Sequence, residues 1–196
     1  MTDPLADVTA YFRRSRDTLE RATQDPALLG AIVEIAVGIA QSLGHGGKIL
    51  LAGNGGSAAD AQHIAAEMLS RFKFNRAPLP AIALTTDTSV LTAIGNDFGF
   101  DQVFERQVRG LGRKGDVFIA ISTSGRSPNI LKALQAAREI GLVNIAFTGA
   151  PDNAMKPLCD LVLSAPSDET ALIQQVHITA AHAICDLVER NLFPAR

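Results

Sequence analysis

The chain reads as an α/β protein, a parallel five-stranded sheet sandwiched by helices, with a helical extension at its N-terminus. Three observations predict this. Short aliphatic runs recur along the chain, helical stretches separate them, and the runs are apolar on both faces. Strands look like that when helices cover both sides of a parallel sheet.

Taken in order, residues 1–45 read as helix. Val8, Phe12 and Leu19 mark a polar helix with one apolar stripe that needs a partner. Asp25-Pro26 then gives a second start signal, an N-cap candidate with proline in the first turn, and Gly44 closes that helix. After Gly46-Gly47 the pattern changes to strands at Lys48–Ala52, Ala81–Leu84, Val117–Ile121, Val143–Phe147 and Leu161–Leu163. Helices are expected at Ser57–Arg71, Gln102–Gly110, Ser127–Ile140 and from about Glu169 to Asn191. No linker, repeat or low-complexity tract divides the chain, so residues 1–196 form one domain, with the N-terminal helices packing on the core or on neighbouring subunits.

Composition narrows the function. At 196 residues the chain can bury a core without disulfide or metal staples, and 47 % hydrophobic against 19 % charged is a globular balance. Only 5 % is aromatic, with Tyr11 the sole tyrosine and no tryptophan, so the core is aliphatic. A net charge of −2 argues against a general nucleic-acid binder, which needs a basic face. Cys159 and Cys185 are too few for a secreted disulfide scaffold. The start lacks a signal-peptide pattern, and Ala27–Leu43, interrupted by Glu34 and Gln41, falls short of a membrane span. The expectation is a cytoplasmic protein with neither nucleic acid nor membrane as partner.

In such sheets ligands bind where strands run into helices, and two of those loops carry unusual chemistry. The first is Gly53-Asn54-Gly55-Gly56-Ser57-Ala58. Its glycines let backbone N–H groups approach a ligand, and Ser57 stands where a helix N-cap belongs. The loop also fits G-x-G-x-x-A, but no acidic residue follows at the right distance, Asp87 being too far, and no G-K-[ST] makes it an ATP loop. The second is Ser122-Thr123-Ser124-Gly125-Arg126-Ser127-Pro128, four hydroxyls around one glycine at a helix start. It suits a phosphate monoester, though serine and threonine are also ordinary turn residues.

Helical spacing brings further polar groups together. His63 and Glu67 are i and i+4 on one face, about two turns from the glycine loop, and can share a metal or one substrate. In the last helix Gln174 and His182 lie about 80° and about 12 Å apart, while His177 and His182 are about 140° apart. Spacing alone leaves both histidines open between core residue and catalyst. Asn96-Asp97-Phe98-Gly99 reads as a turn, and Arg71 as a solvated charge or a phosphate contact.

Together Gly53–Ser57, Asp60-Ala61-Gln62-His63, Glu67, Gly95–Gly99, Ser122–Gly125, Gln174, His177 and His182 resemble the SIS (sugar isomerase) domain, and within it the phosphoheptose isomerase family. The resemblance spans nearly the whole chain. It implies a flavodoxin-like fold, a homotetramer with sites between subunits, and conversion of sedoheptulose 7-phosphate into D-glycero-D-manno-heptose 7-phosphate for lipopolysaccharide heptose. The family's substrate contacts fall on Asn54, Gly55, Gly56, Ser57, Glu67, Asn96, Asp97, Ser122, Thr123, Ser124, Ser127 and Gln174. Its zinc ligands, one ion per subunit, fall on His63, Glu67, Gln174 and His182, and its catalytic pair on Glu67 and His182. Two departures stand out: Arg126 where the family commonly has asparagine, and Leu172-Ile173-Gln174-Gln175 where it commonly has Arg-Ile-Gln-Glu. A related class, non-catalytic adaptors that bind the replication initiator DnaA, is the alternative; it lacks the histidine at the position of His182. A sugar-phosphate-sensing regulator would need a DNA-binding domain for which there is no room.

Overall fold

A computed structural model describes residues 3–149 and 153–194. The N-terminal helices are α1 (Pro4–Thr23) and α2 (Pro26–Gly44); then follow β1 (Ile49–Gly53), α3 (Gly56–Leu69), β2 (Ala81–Ala83), α4 (Thr88–Phe98) and α5 (Glu105–Leu111). The second half holds β3 (Val117–Ile121), α6 (Pro128–Ile140), β4 (Val143–Thr148), β5 (Leu161–Ser164) and α7 (Thr170–Leu192). The five strands form one parallel sheet in the order β2-β1-β3-β4-β5. The chain leaves β1 toward one edge and β3 toward the other, so a crevice opens between their C-terminal ends.

Period-two alternation along the strands builds two cores. Ile49, Leu51, Val117, Ile119, Ile121, Ile145 and Phe147 face α2, α3 and α7, while Leu50, Ala52, Phe118, Ala120 and Ala146 face α5 and α6. Phe118 and Phe147 are fully buried, each contributing about 1.5–3 kcal/mol of transfer free energy before entropy is subtracted.

The expected start of α2 is present: Asp25 caps it by accepting hydrogen bonds from the Ala27 and Leu28 N–H groups, and Pro26 opens the first turn. Two expectations need correction. Thr88–Phe98 is a helix, capped by the Asp87 side chain, so Asn96 and Asp97 sit in its last turn and Gly99 ends it with φ 95°. None of the residues of α4 is fully buried, and only Leu91 and Ile94 pack half-buried on the core, so the turn signal at its end dominates the sequence. And α2, with mean hydropathy 1.8, is by length and composition apolar enough to cross a membrane, as is α7. One stripe of α2 (Leu28, Ile32, Ile35, Ile39) packs in the core; Leu29, Val33 and Val37 face outward, and on α1 Leu5, Val8 and Phe12 are also exposed.

Candidate active site

The glycine loop at the end of β1 is shaped by close approach. A Cβ on Gly53 would lie 2.5 Å from the Ser57 carbonyl oxygen, and one on Gly56 would lie 2.5 Å from Gln174 Nε2. Gly55 has φ 56° and is itself the N-cap of α3, so Ser57 is a buried residue of the first turn and not the cap. A side chain at residue 55 would be strained; a hydrogen-only residue lets the chain turn directly into the helix.

The serine loop leaves β3 beside it. Ser122 is buried, with its Oγ 3.1 Å from Ser127 Oγ. Gly125 (φ 63°) donates to the Ser122 carbonyl, and the Arg126 N–H donates to Ser124 Oγ. Ser127 is the N-cap of α6 and Pro128 opens the helix, but the Ser127 hydroxyl does not cap it. Hydroxyls and a helix N-terminus therefore face the same place, an arrangement suited to an anion. Asn54 and Asn129 join the two loops through a paired amide contact, Nδ2 to Oδ1 at 3.0 and 2.9 Å. Asn129 was missed in sequence; a buried polar residue directly after Ser-Pro was its only signal. Thr123, Ser124 and Arg126 line a cavity of about 520 Å³ with Asp168 and Ile173.

The helix residues converge across α3 and α7. His63 Nε2 is 3.2 Å from Glu67 Oε1 and 2.9 Å from His182 Nε2. Donor atoms of all three lie within 4.8 Å of one another, so His63, Glu67 and His182 could hold a metal ion. The Phe72 ring stacks on His182 at 5.5 Å and 23°. Burial raises the Asp60 carboxyl above its ordinary range, opposed by the nearby His63, and its Oδ2 is buried without a hydrogen-bond partner.

Other expected residues stand apart. His177 is a core residue, bonded through Nε2 to the Thr148 carbonyl, and burial pushes its pKa down to about 4. Arg71 pairs with Asn75 at the surface. Gln174 lies against Gly56 at the start of α3. Asn96 and Asp97 hydrogen-bond each other, and among the described residues no hydrogen bond links them to the loops or to the triad. Asp97 lines a different cavity, with Ile82, Phe98 and Arg106.

Residues 10–149 match the SIS domain model. A phosphoheptose isomerase of Bradyrhizobium sp. (strain ORS 278) is 58 % identical over 193 residues, 98 % of each chain. This chain belongs to the phosphoheptose isomerase family. A phosphoheptose isomerase of Burkholderia pseudomallei (strain 1710b) is 50 % identical over 96 % of each chain. The solved phosphoheptose isomerase of Neisseria gonorrhoeae superposes with TM-score 0.90 at 46 % identity, covering 95 % of this chain and 99 % of that one. That of Francisella tularensis gives 0.92 at 38 %, covering 96 % and 100 %. The chain is thus an isomerase with the fold of the phosphoheptose isomerases, and its substrate is a sugar phosphate.

Proposed function

We propose that this chain converts sedoheptulose 7-phosphate into D-glycero-D-manno-heptose 7-phosphate, an early step toward lipopolysaccharide heptose. The observation that carries the reading is the meeting of Glu67 and His63, on the helix that follows the glycine loop, with His182 of α7. Ketose–aldose exchange moves a proton between C1 and C2 through an enediol, which needs a base at carbon and an acid at oxygen. Glu67 takes the carbon-bound proton and returns it to the neighbouring carbon. His182, its ring fixed by Phe72, carries a proton between the two oxygens. Ser122, Thr123, Ser124 and Ser127 hold the phosphate, and Asn54, Gly55, Gly56, Ser57 and Gln174 line the sugar. Asn96 and Asp97 complete the site from a neighbouring subunit of a homotetramer, whose contacts use the outward apolar stripes of α1 and α2.

The donor set fits zinc. Two imidazole nitrogens and a carboxylate are ordinary ligands, and the His63–Glu67 separation of 3.2 Å is near the ~3.3 Å edge of a tetrahedron with ~2 Å bonds. His63, Glu67 and His182, with Gln174 as a fourth, would hold one ion per subunit. Bound there, zinc would polarise the sugar carbonyl and stabilise enediolate charge. The whole of residues 1–196 acts as one SIS domain, in the cytoplasm where sugar phosphates are made.

The test is NMR-monitored incubation with sedoheptulose 7-phosphate, with and without zinc or chelator. Aldose appears with wild-type protein, and Glu67→Gln and His182→Ala each lose at least ~10²-fold in rate. Wild-type rates in either variant would remove its role. No turnover in any condition, with tight DnaA binding, would favour the adaptor alternative, which the relatives' shared isomerase identity does not support.

A further inference from the structure

Beneath the triad lies a polar cluster that the reaction itself does not use. Glu189 of α7 and Arg76, in the segment after α3, form an ion pair of 2.9 Å with side chains 0 % and 1 % exposed. Glu189 also accepts the Phe72 N–H at 2.7 Å and the Lys73 N–H at 2.9 Å. The Arg76 guanidinium donates to the carbonyls of Glu67 (2.8 Å), Met68 (2.8 Å), Ser70 (3.4 Å) and Ala77 (3.1 Å). The first two belong to the last turn of α3, where a helix has carbonyls without partners of its own.

These contacts are one rung of a ladder. α3 and α7 run side by side in the same direction and touch at three levels: Gly56 with Gln174, His63 with His182, and Phe72 with Glu189. Sequence separation is 119 at the middle rung and 117 at the last, so the helices stay in step. Glu189 is seven residues beyond His182, two turns on and nearly on the same face. The residue whose N–H binds Glu189 is the one whose ring stacks on His182.

We propose that Arg76 and Glu189 are positioning residues, a clamp that sets the axial register of α3 against α7 and so brings Glu67 and His63 to His182. The guanidinium grips the backbone of Glu67 itself, and the carboxylate places the ring that covers His182. Burial alone would raise the Glu189 carboxyl, but the Lys73 and Phe72 N–H groups and the Arg76 charge hold it below its ordinary range, so the pair is ionic. Buried ion pairs add little net stability over apolar residues of like volume, yet fix one arrangement where their hydrogen bonds are complete. Here every guanidinium nitrogen and both carboxylate oxygens have a partner, so the pair's contribution is read as geometric. The assignment rests on the function proposed above only for the meaning of the rate.

Two variants test it. Arg76→Lys keeps a cation beside Glu189 but loses the fork that reaches the α3 carbonyls. The double variant Arg76→Met, Glu189→Leu replaces the pair by apolar groups and serves if the single variant folds poorly. In the folded variant kcat falls on the order of 10²-fold, the scale of a 1 Å misplacement, while KM moves only a few-fold, because the serine loop that holds the phosphate sits on neither α3 nor α7. The His182 ring resonance, one of four histidines, moves as the Phe72 stack is lost, while that of His45 stays. A folded variant with wild-type kcat and an unmoved His182 resonance overturns the clamp. If wild-type protein does not turn over the heptulose, the functional reading fails, and the resonance alone still decides the register.

Discussion

Lowering pH from 7 to 4 will cost this protein stability through one buried ring. His177 is 1 % exposed, its Nε2 bonds the Thr148 carbonyl, and its Nδ1 has no partner. Burial depresses its pKa from 6.5 to about 4, the Thr148 bond opposing weakly. Because the folded value lies below the unfolded one, the unfolded chain takes up the extra proton. The stabilisation is complete above pH 6.5 and is lost as pH falls toward 4. At 1.36 kcal/mol per unit the loss is about 3 kcal/mol at pH 4, a large part of an ordinary stability of about 5–15 kcal/mol. His177→Phe removes the titration and keeps a ring beside Phe147, and the Thr148 carbonyl retains the Ala165 N–H at 2.8 Å. Urea denaturation of both proteins at pH 7 and pH 4 isolates this contribution, since the carboxyls and the other three histidines are common to both. The wild-type midpoint should fall further than the variant's by about 1–2 M at a slope of about 2 kcal/mol/M. Parallel pH dependences would refute a neutral, buried His177.

Other perturbations separate scaffold from site. Gly53→Ala drives a Cβ against the Ser57 backbone, which cannot swing away, and should cost about 1–3 kcal/mol by urea titration. Asn129→Ala leaves the Asn54 amide without its partner; a loss of about 1 kcal/mol and a raised KM should appear together, because the pair ties the two loops. Arg126→Asn should raise KM only a few-fold with kcat unchanged, since an exposed charge near a phosphate is worth about 1 kcal/mol or less; a drop in kcat would place Arg126 nearer the chemistry than the cavity suggests.

The sheet was legible because its strands are buried on both faces, so plain aliphatic runs marked them; Val117–Ile121 coincides with β3 to the residue. α4 was not: its stripe of Val90, Leu91, Ile94 and Phe98 is short and only partly covered, and the Asn96–Gly99 turn signal outweighed the cap signal of Asp87. At the site, the i, i+4 pair His63–Glu67 was readable from spacing, but its meeting with His182 depends on how two distant helices dock. Spacing gave His177 and His182 equal standing; packing separates them, one into the core and one beside Glu67. Ser57 was misread as a cap because a glycine at the preceding turn can do that work with a positive φ. Phe72, Arg76 and Glu189 carry no local signature, because the contacts that give them meaning join residues far apart along the chain.

α7 serves both as a wall of the interior, through Ile173, Val176, Ala180 and Ile184, and as the bearer of Gln174 and His182. The SIS match ends at residue 149, before this helix begins. The two loops and the His63–Glu67 face therefore lie within the matched span, while Gln174 and His182, which meet them in space, lie beyond it. One helix outside the matched span thus closes the site over residues gathered from earlier in the chain, so the docking of α7, more than any local motif, decides whether the cluster forms.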